Sequence, residues 1–292
     1  MKINELFKKG KTVFSYEVFP PKKTAPIDTI RSTLDAIKDH SPDFISVTYG
    51  AGGNRADMST LEVASLLKHT YGIEPLFHLT CVSNTREDID YITEKLKEND
   101  IENILALRGD INPDIPPKDD FRHASDLTAY LMKKGGFSVA GACYPECHVE
   151  SASFLEDIRN LKKKVEAGAD HLISQLFFDN SFFYDFLEKA RLSDINVPIE
   201  AGIMPVVNKS QIERMVTMCG ASLPRKFTSM MQRFESHPDA LREAGIAYAI
   251  DQIIDLISHG VDGIHLYTMN NPYVANRIYE SVGPLIKAAN QR

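Results

Sequence analysis

Tryptophan is absent from this chain, and so are most features that would assign it at a glance. No apolar run approaches the roughly 18 residues of a membrane span, and Met1-Lys-Ile-Asn-Glu5 has no signal-peptide core. Four cysteines (Cys81, Cys143, Cys147, Cys219) in 292 residues are too few for a disulfide framework. A cytoplasmic protein that stays off the membrane is expected. Positive charge is not in excess: 33 Lys and Arg face 40 Asp and Glu, for a formal charge of −7. That balance argues against nucleic acid as a partner. No Gly-Lys-Ser/Thr phosphate loop occurs, and Arg55 stands where the third glycine of a dinucleotide fingerprint starting at Gly50 would fall. Any dinucleotide must be held in another way.

What the chain does have is alternation of short apolar runs with helix-periodic stretches. Strands are predicted at Val13–Pro20, Phe44–Gly50, Pro75–Val82, Asn103–Gly109, Ser138–Tyr144, His171–Phe178, Val197–Val207 and Gly263–Met269. Helices are predicted at Asp28–His40, Ser59–Tyr71, after an N-cap at Thr85, after a cap near Ser125 or Asp126, and at Ser153–Ala167 and Ser181–Arg191. Others follow at Ser210–Cys219, Asp239–His259 and Val274–Ala288. Ile111–Lys118, with three prolines, reads as a loop; Ala221–Pro238, with a Met-rich Phe227–Phe234, breaks the pattern. Eight β/α units at roughly 30-residue spacing, with no Gly/Ser linker, predict a single (β/α)₈ barrel over residues 1–292. An open doubly wound sheet is the runner-up.

Barrels of this kind place ligands at the carboxyl ends of their strands, and polar residues gather at those ends. Arg108 and Asp110 close Asn103-Ile-Leu-Ala-Leu-Arg-Gly-Asp110. Glu17 lies among aromatic and aliphatic neighbours in Phe14-Ser-Tyr-Glu-Val-Phe-Pro-Pro21; desolvation raises a carboxyl pKa, as a general acid near neutral pH requires. Thr48 precedes a glycine-rich turn, His78 and Thr80 share one face of their strand, and Gln175 offers donors and an acceptor suited to a heterocycle edge. Tyr267 and Met269 end the eighth strand, and Lys164 follows Asp157 and Asn160 on one helix, where phosphate could be met. Each has a plain structural alternative: a salt-bridged strand end, a tight turn, a satisfied core amide, a solvated helix face. Cys143, Cys147 and His148 are better read as buried, inert thiols beside a histidine than as a metal site, for no second ligand pair is present. Their convergence on one barrel face selects an enzyme but not its reaction. No lysine stands at a strand end, which disfavours a Schiff-base aldolase.

The runs Phe14–Pro21, Ser46-Val-Thr-Tyr-Gly-Ala-Gly-Gly53, His78-Leu-Thr-Cys81 and Asn103–Asp110 resemble the methylenetetrahydrofolate reductase family, in its bacterial single-domain type. Ala124-Ser-Asp126, Tyr144-Pro-Glu146, Lys164-Val-Glu-Ala-Gly-Ala169, Gln175-Leu-Phe-Phe-Asp179 and Gly202-Ile-Met-Pro205 continue the likeness in order, over nearly the whole chain.

The resemblance implies an FAD-containing barrel that reduces 5,10-methylenetetrahydrofolate to 5-methyltetrahydrofolate, for methionine synthesis, with electrons from NADH or NADPH. The nicotinamide dinucleotide and the folate would use one pocket in turn, a ping-pong cycle. Glu17 would be the general acid that opens the methylene bridge to an iminium, and Asp110 a carboxylate that tunes the flavin potential. Thr48, His78, Arg108, Gly109, Asp110, His123, Ala124, Tyr144, His148, Asp157, Asn160 and Lys164 would hold FAD. Glu17, Asp110, Gln175, Met215, Tyr267 and Met269 would meet substrate. Two positions depart from the family pattern: His123 stands where a Tyr is frequent, and Met215 where a stacking Phe can occur. A homo-oligomer is expected, and regulation by a further domain is not. The alternatives are another FAD-dependent barrel oxidoreductase, of the proline dehydrogenase kind, and a non-catalytic ligand-binding barrel.

Overall fold

A computed structural model describes residues 1–8, 10–21, 28–49, 58–111 and 116–291. Eight parallel strands close on themselves in sequence order: β1 (Val13–Val18), β2 (Phe44–Val47), β3 (Pro75–Thr80), β4 (Asn103–Leu107), β5 (Ser138–Cys143), β6 (His171–Ser174), β7 (Ile199–Ile203) and β8 (Gly263–Tyr267). Helices α1 (Asp28–Ile37), α2 (Ser59–Leu66), α3 (Arg86–Glu98), α4 (Ala124–Lys134), α5 (Phe154–Glu166) and α6 (Asn180–Leu192) follow the first six strands. Three helices, α7 (Lys209–Cys219), α8 (Arg225–Phe234) and α9 (Pro238–Ser258), separate β7 from β8, and α10 (Pro272–Ala289) closes the chain. The architecture is the (β/α)₈ barrel expected, not the open sheet.

Alternation along each strand divides the side chains between two environments. Phe14, Tyr16 and Val18 of β1, Ile45 and Val47 of β2, and Ile199, Ala201 and Ile203 of β7 join the main core between sheet and helices. The opposite faces line the interior. Val13, Phe44, Leu76, Leu105, Ala140 and Ile173 form a separate apolar cluster there, joined by Ile3, Leu6 and Phe7 of the amino-terminal segment. The Ile3 N–H donates to Asn103 Oδ1 at 2.8 Å, tying that segment to the start of β4. The next inward residues are polar: Ser15 and Glu17, Ser46, His78, Glu200 and His265 are all buried.

Several boundaries differ from the sequence reading. The α4 cap is His123, not Ser125 or Asp126; Asp126 instead accepts from the backbone N–H groups of Arg122 and His123, both at 2.9 Å. Strands β2, β6 and β7 end three to four residues early; after β6 and β7 the apolar residues Leu176, Phe178, Met204 and Val206 pack in loops rather than in the ladder. The Met-rich segment is a helix, α8, whose Phe227 and Met231 one turn apart bury against Phe178, Met204 and Leu241. Phe227 stacks on Phe178 with centroids 4.7 Å apart. The glycine turn Gly50–Gly53 lies outside the described residues.

Candidate active site

The interior polar layer centres on Glu17. Strand period two turns it inward, and it is only 8% exposed. Its Oε2 lies 3.7 Å from His78 Nε2 and 3.9 Å from His265 Nε2. Burial pulls His78 down to about 4, so its ring is neutral near pH 7 and the Glu17 contact is not an ion pair. Thr268 Oγ1 donates to the Glu17 carbonyl at 2.7 Å, and the Asn270 amide exchanges two hydrogen bonds with the Phe19 backbone. These contacts lock the end of β1 to the end of β8. Met269 and Asn270 turn the chain there with φ of 51° and 53°.

Tyr267 and Gln175 flank this centre. The Tyr267 hydroxyl donates to the Ser174 carbonyl at 2.7 Å, and burial holds its pKa well above the ordinary value, so it stays protonated. That contact needs Gly202, since a Cβ there would sit 2.2 Å from Ser174 O and 2.8 Å from the Tyr267 hydroxyl. Gln175 turns Oε1 back onto the Leu176 N–H at 2.9 Å. Its NH₂ meets no acceptor among the described residues, which leaves two donors for a ligand.

A second group forms over β4, β5 and α5. Gly109 has φ of 87°, and a Cβ there would lie 2.9 Å from Thr80 Cβ, so only glycine fits. Arg108 makes a two-pronged ion pair with Glu150 and donates Nε to the Gly109 carbonyl at 3.2 Å. Asp110 is exposed, and its charge helps to raise the Tyr144 hydroxyl and the Cys219 thiol, where burial is the larger cause. Tyr144 meets His148 edge-to-face at 4.6 Å. Lys164 Nζ donates to the Ala142 carbonyl at 2.7 Å, 5.9 Å from the Tyr144 ring centre, and burial lowers its pKa. Asp157 accepts from the His148 N–H and the Ser151 hydroxyl, pinning the loop before α5. Asn160 is peripheral, paired with Lys163 on its own helix. His123 is exposed and Ala124 buried at the start of α4. The thiol of Cys81, pushed up to about 12 by burial, points at the His123 carbonyl. Thr48 donates its backbone N–H to Val18 and accepts from Thr60 on α2.

Met215 and Met269 come together in a third place, a pocket of about 480 Å³ also lined by Pro205, Val207, Gln211 and Thr268. Thr268 connects it to Glu17. Among the described residues no three His, Cys, Asp or Glu side chains are placed to hold a metal ion. Cys147 Sγ faces the His148 carbonyl at 3.6 Å, and burial raises the Cys143 thiol.

The sequence reading missed Ser15, Ser46, Glu200 and His265. They lie within strands rather than at the carboxyl ends, yet the sequence carries a signal for them. Ile199-Glu-Ala-Gly-Ile203 and Gly263-Ile-His-Leu-Tyr267 each carry polar residues on the face that alternates with their apolar one.

A family model described as methylenetetrahydrofolate reductase matches residues 2–283. The 5,10-methylenetetrahydrofolate reductase of Pectobacterium carotovorum is 34% identical over 274 residues, covering 94% of this chain and 91% of its own. Methylenetetrahydrofolate reductase (NADH) 1 of Arabidopsis thaliana is 35% identical over 289 residues, 92% of this chain but 48% of its own length. The chain thus spans about half the length of the plant relatives it matches. Among solved structures, an uncharacterized protein from Clostridium thermocellum that binds two copies of 5-methyl-5,6,7,8-tetrahydrofolic acid shares the fold. Its TM-score is 0.68 at 13% identity, over 94% of this chain and 96% of that one. With a family match over nearly its whole length and a bacterial reductase aligned over more than nine tenths of both chains, this chain belongs to the methylenetetrahydrofolate reductase family.

Proposed function

We propose that this protein reduces 5,10-methylenetetrahydrofolate to 5-methyltetrahydrofolate with electrons from NADH or NADPH, in a ping-pong cycle on non-covalent FAD. The observation that carries the reading is Glu17, a buried carboxyl group at the inner carboxyl end of β1 between two imidazoles. The β4–β5–α5 group suits the cofactor. Lys164 has a backbone carbonyl as its one described hydrogen-bond partner, so it keeps donors for a phosphate, whose charge would favour the ammonium that burial disfavours. Arg108, Tyr144, His148 and Asp157 lie close enough to act electrostatically on Lys164 or on one another, with Gly109 and Asp110 following Arg108, and Thr48, His78, His123, Ala124 and Asn160 are outlying members of the set. When bound, FAD would supply hydride transfer, first from the nicotinamide and then to the folate.

The chain's own residues supply the proton. Glu17 gives its proton to the departing amine nitrogen of the methylene bridge, and the carboxylate left behind stabilises the cationic iminium. Closure of the barrel around Glu17 keeps that charge out of water, where it acts more strongly. The two NH₂ protons of Gln175 would orient the pterin, and Tyr267, Met215 and Met269 would give it apolar surface. The names of the plant relatives support NADH as donor. The folate bound by the Clostridium protein supports this fold as a folate host. The four free cysteines fit a cytoplasmic location.

The test is anaerobic and optical. Purified protein should be yellow, should bleach with NADH or NADPH, and should recover its colour on addition of 5,10-methylenetetrahydrofolate. Bleaching by an amino acid such as proline and not by a nicotinamide, or a colourless folded protein, overturns the reading.

A further inference from the structure

One level deeper in the barrel than Glu17 lies a second carboxyl group that the proposed reaction does not use. Glu200 on β7 has no exposed surface. Its Oε2 has no hydrogen-bond partner, and its Oε1 lies 2.9 Å from Ser15 Oγ. Space for it exists because its neighbour across the sheet is Gly263, where a Cβ would lie 2.6 Å from Glu200 Cγ. The charged groups that act on it are Asp43, before β2, and Asp262, before β8, both of its own sign. No cationic side chain pairs with it among the described residues. A carboxylate so placed loses its hydration and is repelled by both neighbours, which favours the neutral acid. Burial, the largest cause, raises its pKa well above the carboxylate range.

Ser15 turns that protonation state into a direction. Its hydroxyl has one proton to give, and its Oγ lies 2.9 Å from Glu200 Oε1 and 2.7 Å from His265 Nδ1. The Ile264 carbonyl, at 3.5 Å, is its poorest neighbour. An ionised Glu200 would take the Ser15 proton, and Nδ1 would then have to carry the ring proton to complete the chain. A protonated Glu200 donates to Ser15 instead, Ser15 donates to Nδ1, and the ring proton is left on Nε2. Nε2 is the atom that faces Glu17 Oε2 at 3.9 Å, with Ser46 Oγ 3.3 Å away.

We propose that Glu200 is a positioning residue for Glu17, acting through Ser15 to keep the proton of His265 on Nε2. The inference rests on the reading of Glu17 as the general acid. An Nε2–H, 3.9 Å from Oε2 and 3.3 Å from Ser46 Oγ, turns the positive edge of the ring toward Glu17 and favours the carboxylate that remains once Glu17 has released its proton. The other tautomer presents a lone pair that competes with the substrate nitrogen for that same proton. The other groups facing Glu17 do not reverse this: His78, from β3, is neutral, and the Tyr267 hydroxyl is committed to Ser174. Besides Ser15, Ser46 and Glu17, the rings of Phe44 and Tyr267 stand near His265, with centroids 6.1 and 5.2 Å away.

Nitrogen NMR of holoprotein labelled with ¹⁵N-histidine reads the tautomer directly, with His265→Asn identifying the resonance. The wild type should carry its proton on Nε2 at pH 7. In stopped flow, Glu200→Leu and Ser15→Ala should each slow reoxidation of the reduced flavin by folate about 10- to 100-fold, the size of loss when partners that orient metal-bound imidazoles are removed. Reduction by the nicotinamide should stay within about twofold, since that half-reaction needs no proton from Glu17. Glu200→Gln keeps a donor toward Ser15 and Ser15→Thr keeps the hydroxyl, so both should stay near the wild type. Should Glu200→Leu fail to fold, Ser15→Ala breaks the same chain with a smaller change of volume. A proton on Nδ1 in the wild type, wild-type reoxidation in the Leu and Ala variants, or equal damage in the conservative pair overturns the proposal. The tautomer is read without folate, so a protein that never reacts with folate would refute the functional reading and leave this result standing.

Discussion

At Glu17 the chemistry and the packing can be separated by one atom. Glutamine fills the same volume and keeps hydrogen-bonding capacity beside His78 and His265, but it has no proton to give. Glu17→Gln should therefore leave reduction by the nicotinamide nearly intact and slow reoxidation by 5,10-methylenetetrahydrofolate by about 10²–10⁴-fold. Anaerobic stopped flow follows the two steps separately through flavin absorbance. Reoxidation at nearly the wild-type rate would remove Glu17 from the mechanism, and both steps slowed together with flavin loss would make it structural. The same residue shows what a sequence can disclose. An acid between aromatic and aliphatic neighbours is conspicuous, as are Arg108 and Asp110 around a glycine. Glu200 lies in a run as apolar as that of Glu17, but it falls at the beginning of a strand rather than its end. Its connection to Glu17 passes through Ser15 and His265, 185 and 250 positions apart in pairing, and only closure of the barrel makes them neighbours.

At the scale of elements, strands and helices were legible wherever the hydrophobic period ran unbroken, as in α3 with its Thr85 cap. Between β7 and β8 the expected alternation fails because three helices stand where one usually does. There α8 shows only two buried residues, Phe227 and Met231, and a ten-residue helix with so narrow a stripe is easily read as irregular. The close contact that organises this region carries no local pattern either. Gly245 on α9 lies against β7's continuation so tightly that a Cβ would meet the Val206 carbonyl oxygen at 1.8 Å. Backbone cannot rotate away as a side chain can, so α9 would have to move. Gly245→Ala should destabilise the protein by about 2 kcal/mol or more, toward the upper part of the overpacking range, despite alanine's better helix propensity. Urea unfolding measures it. A variant as stable as the wild type would mean that α9 and the end of β7 are not packed as described.

The whole molecule is a barrel with two interiors, an apolar one closed below by Ile3, Leu6 and Phe7 and a polar one above it. Keeping Glu200 inside has a consequence for global stability that is independent of any ligand. Its carboxyl holds a proton in the folded state at pH values where an unfolded chain would release it. Below the ordinary glutamate pKa of about 4.3 both states are protonated and folding is indifferent to pH at this group. Above that value the unfolded state binds one proton fewer than the folded state, and stability falls as pH rises, until Glu200 itself ionises in the fold. The slope for one such group approaches about 1.4 kcal/mol per pH unit. Glu200→Gln removes the titration while keeping shape and neutrality, so its stability relative to the wild type should rise with pH above the ordinary glutamate range, until Glu200 ionises in the fold. All other titrating groups are common to both proteins and cancel in the difference. Urea titrations of the two proteins at matched pH values give that difference directly. A gap that is flat across the range would show that Glu200 is ionised in the folded barrel, and the hydrogen-bond direction assigned to Ser15 and His265 would then be reversed.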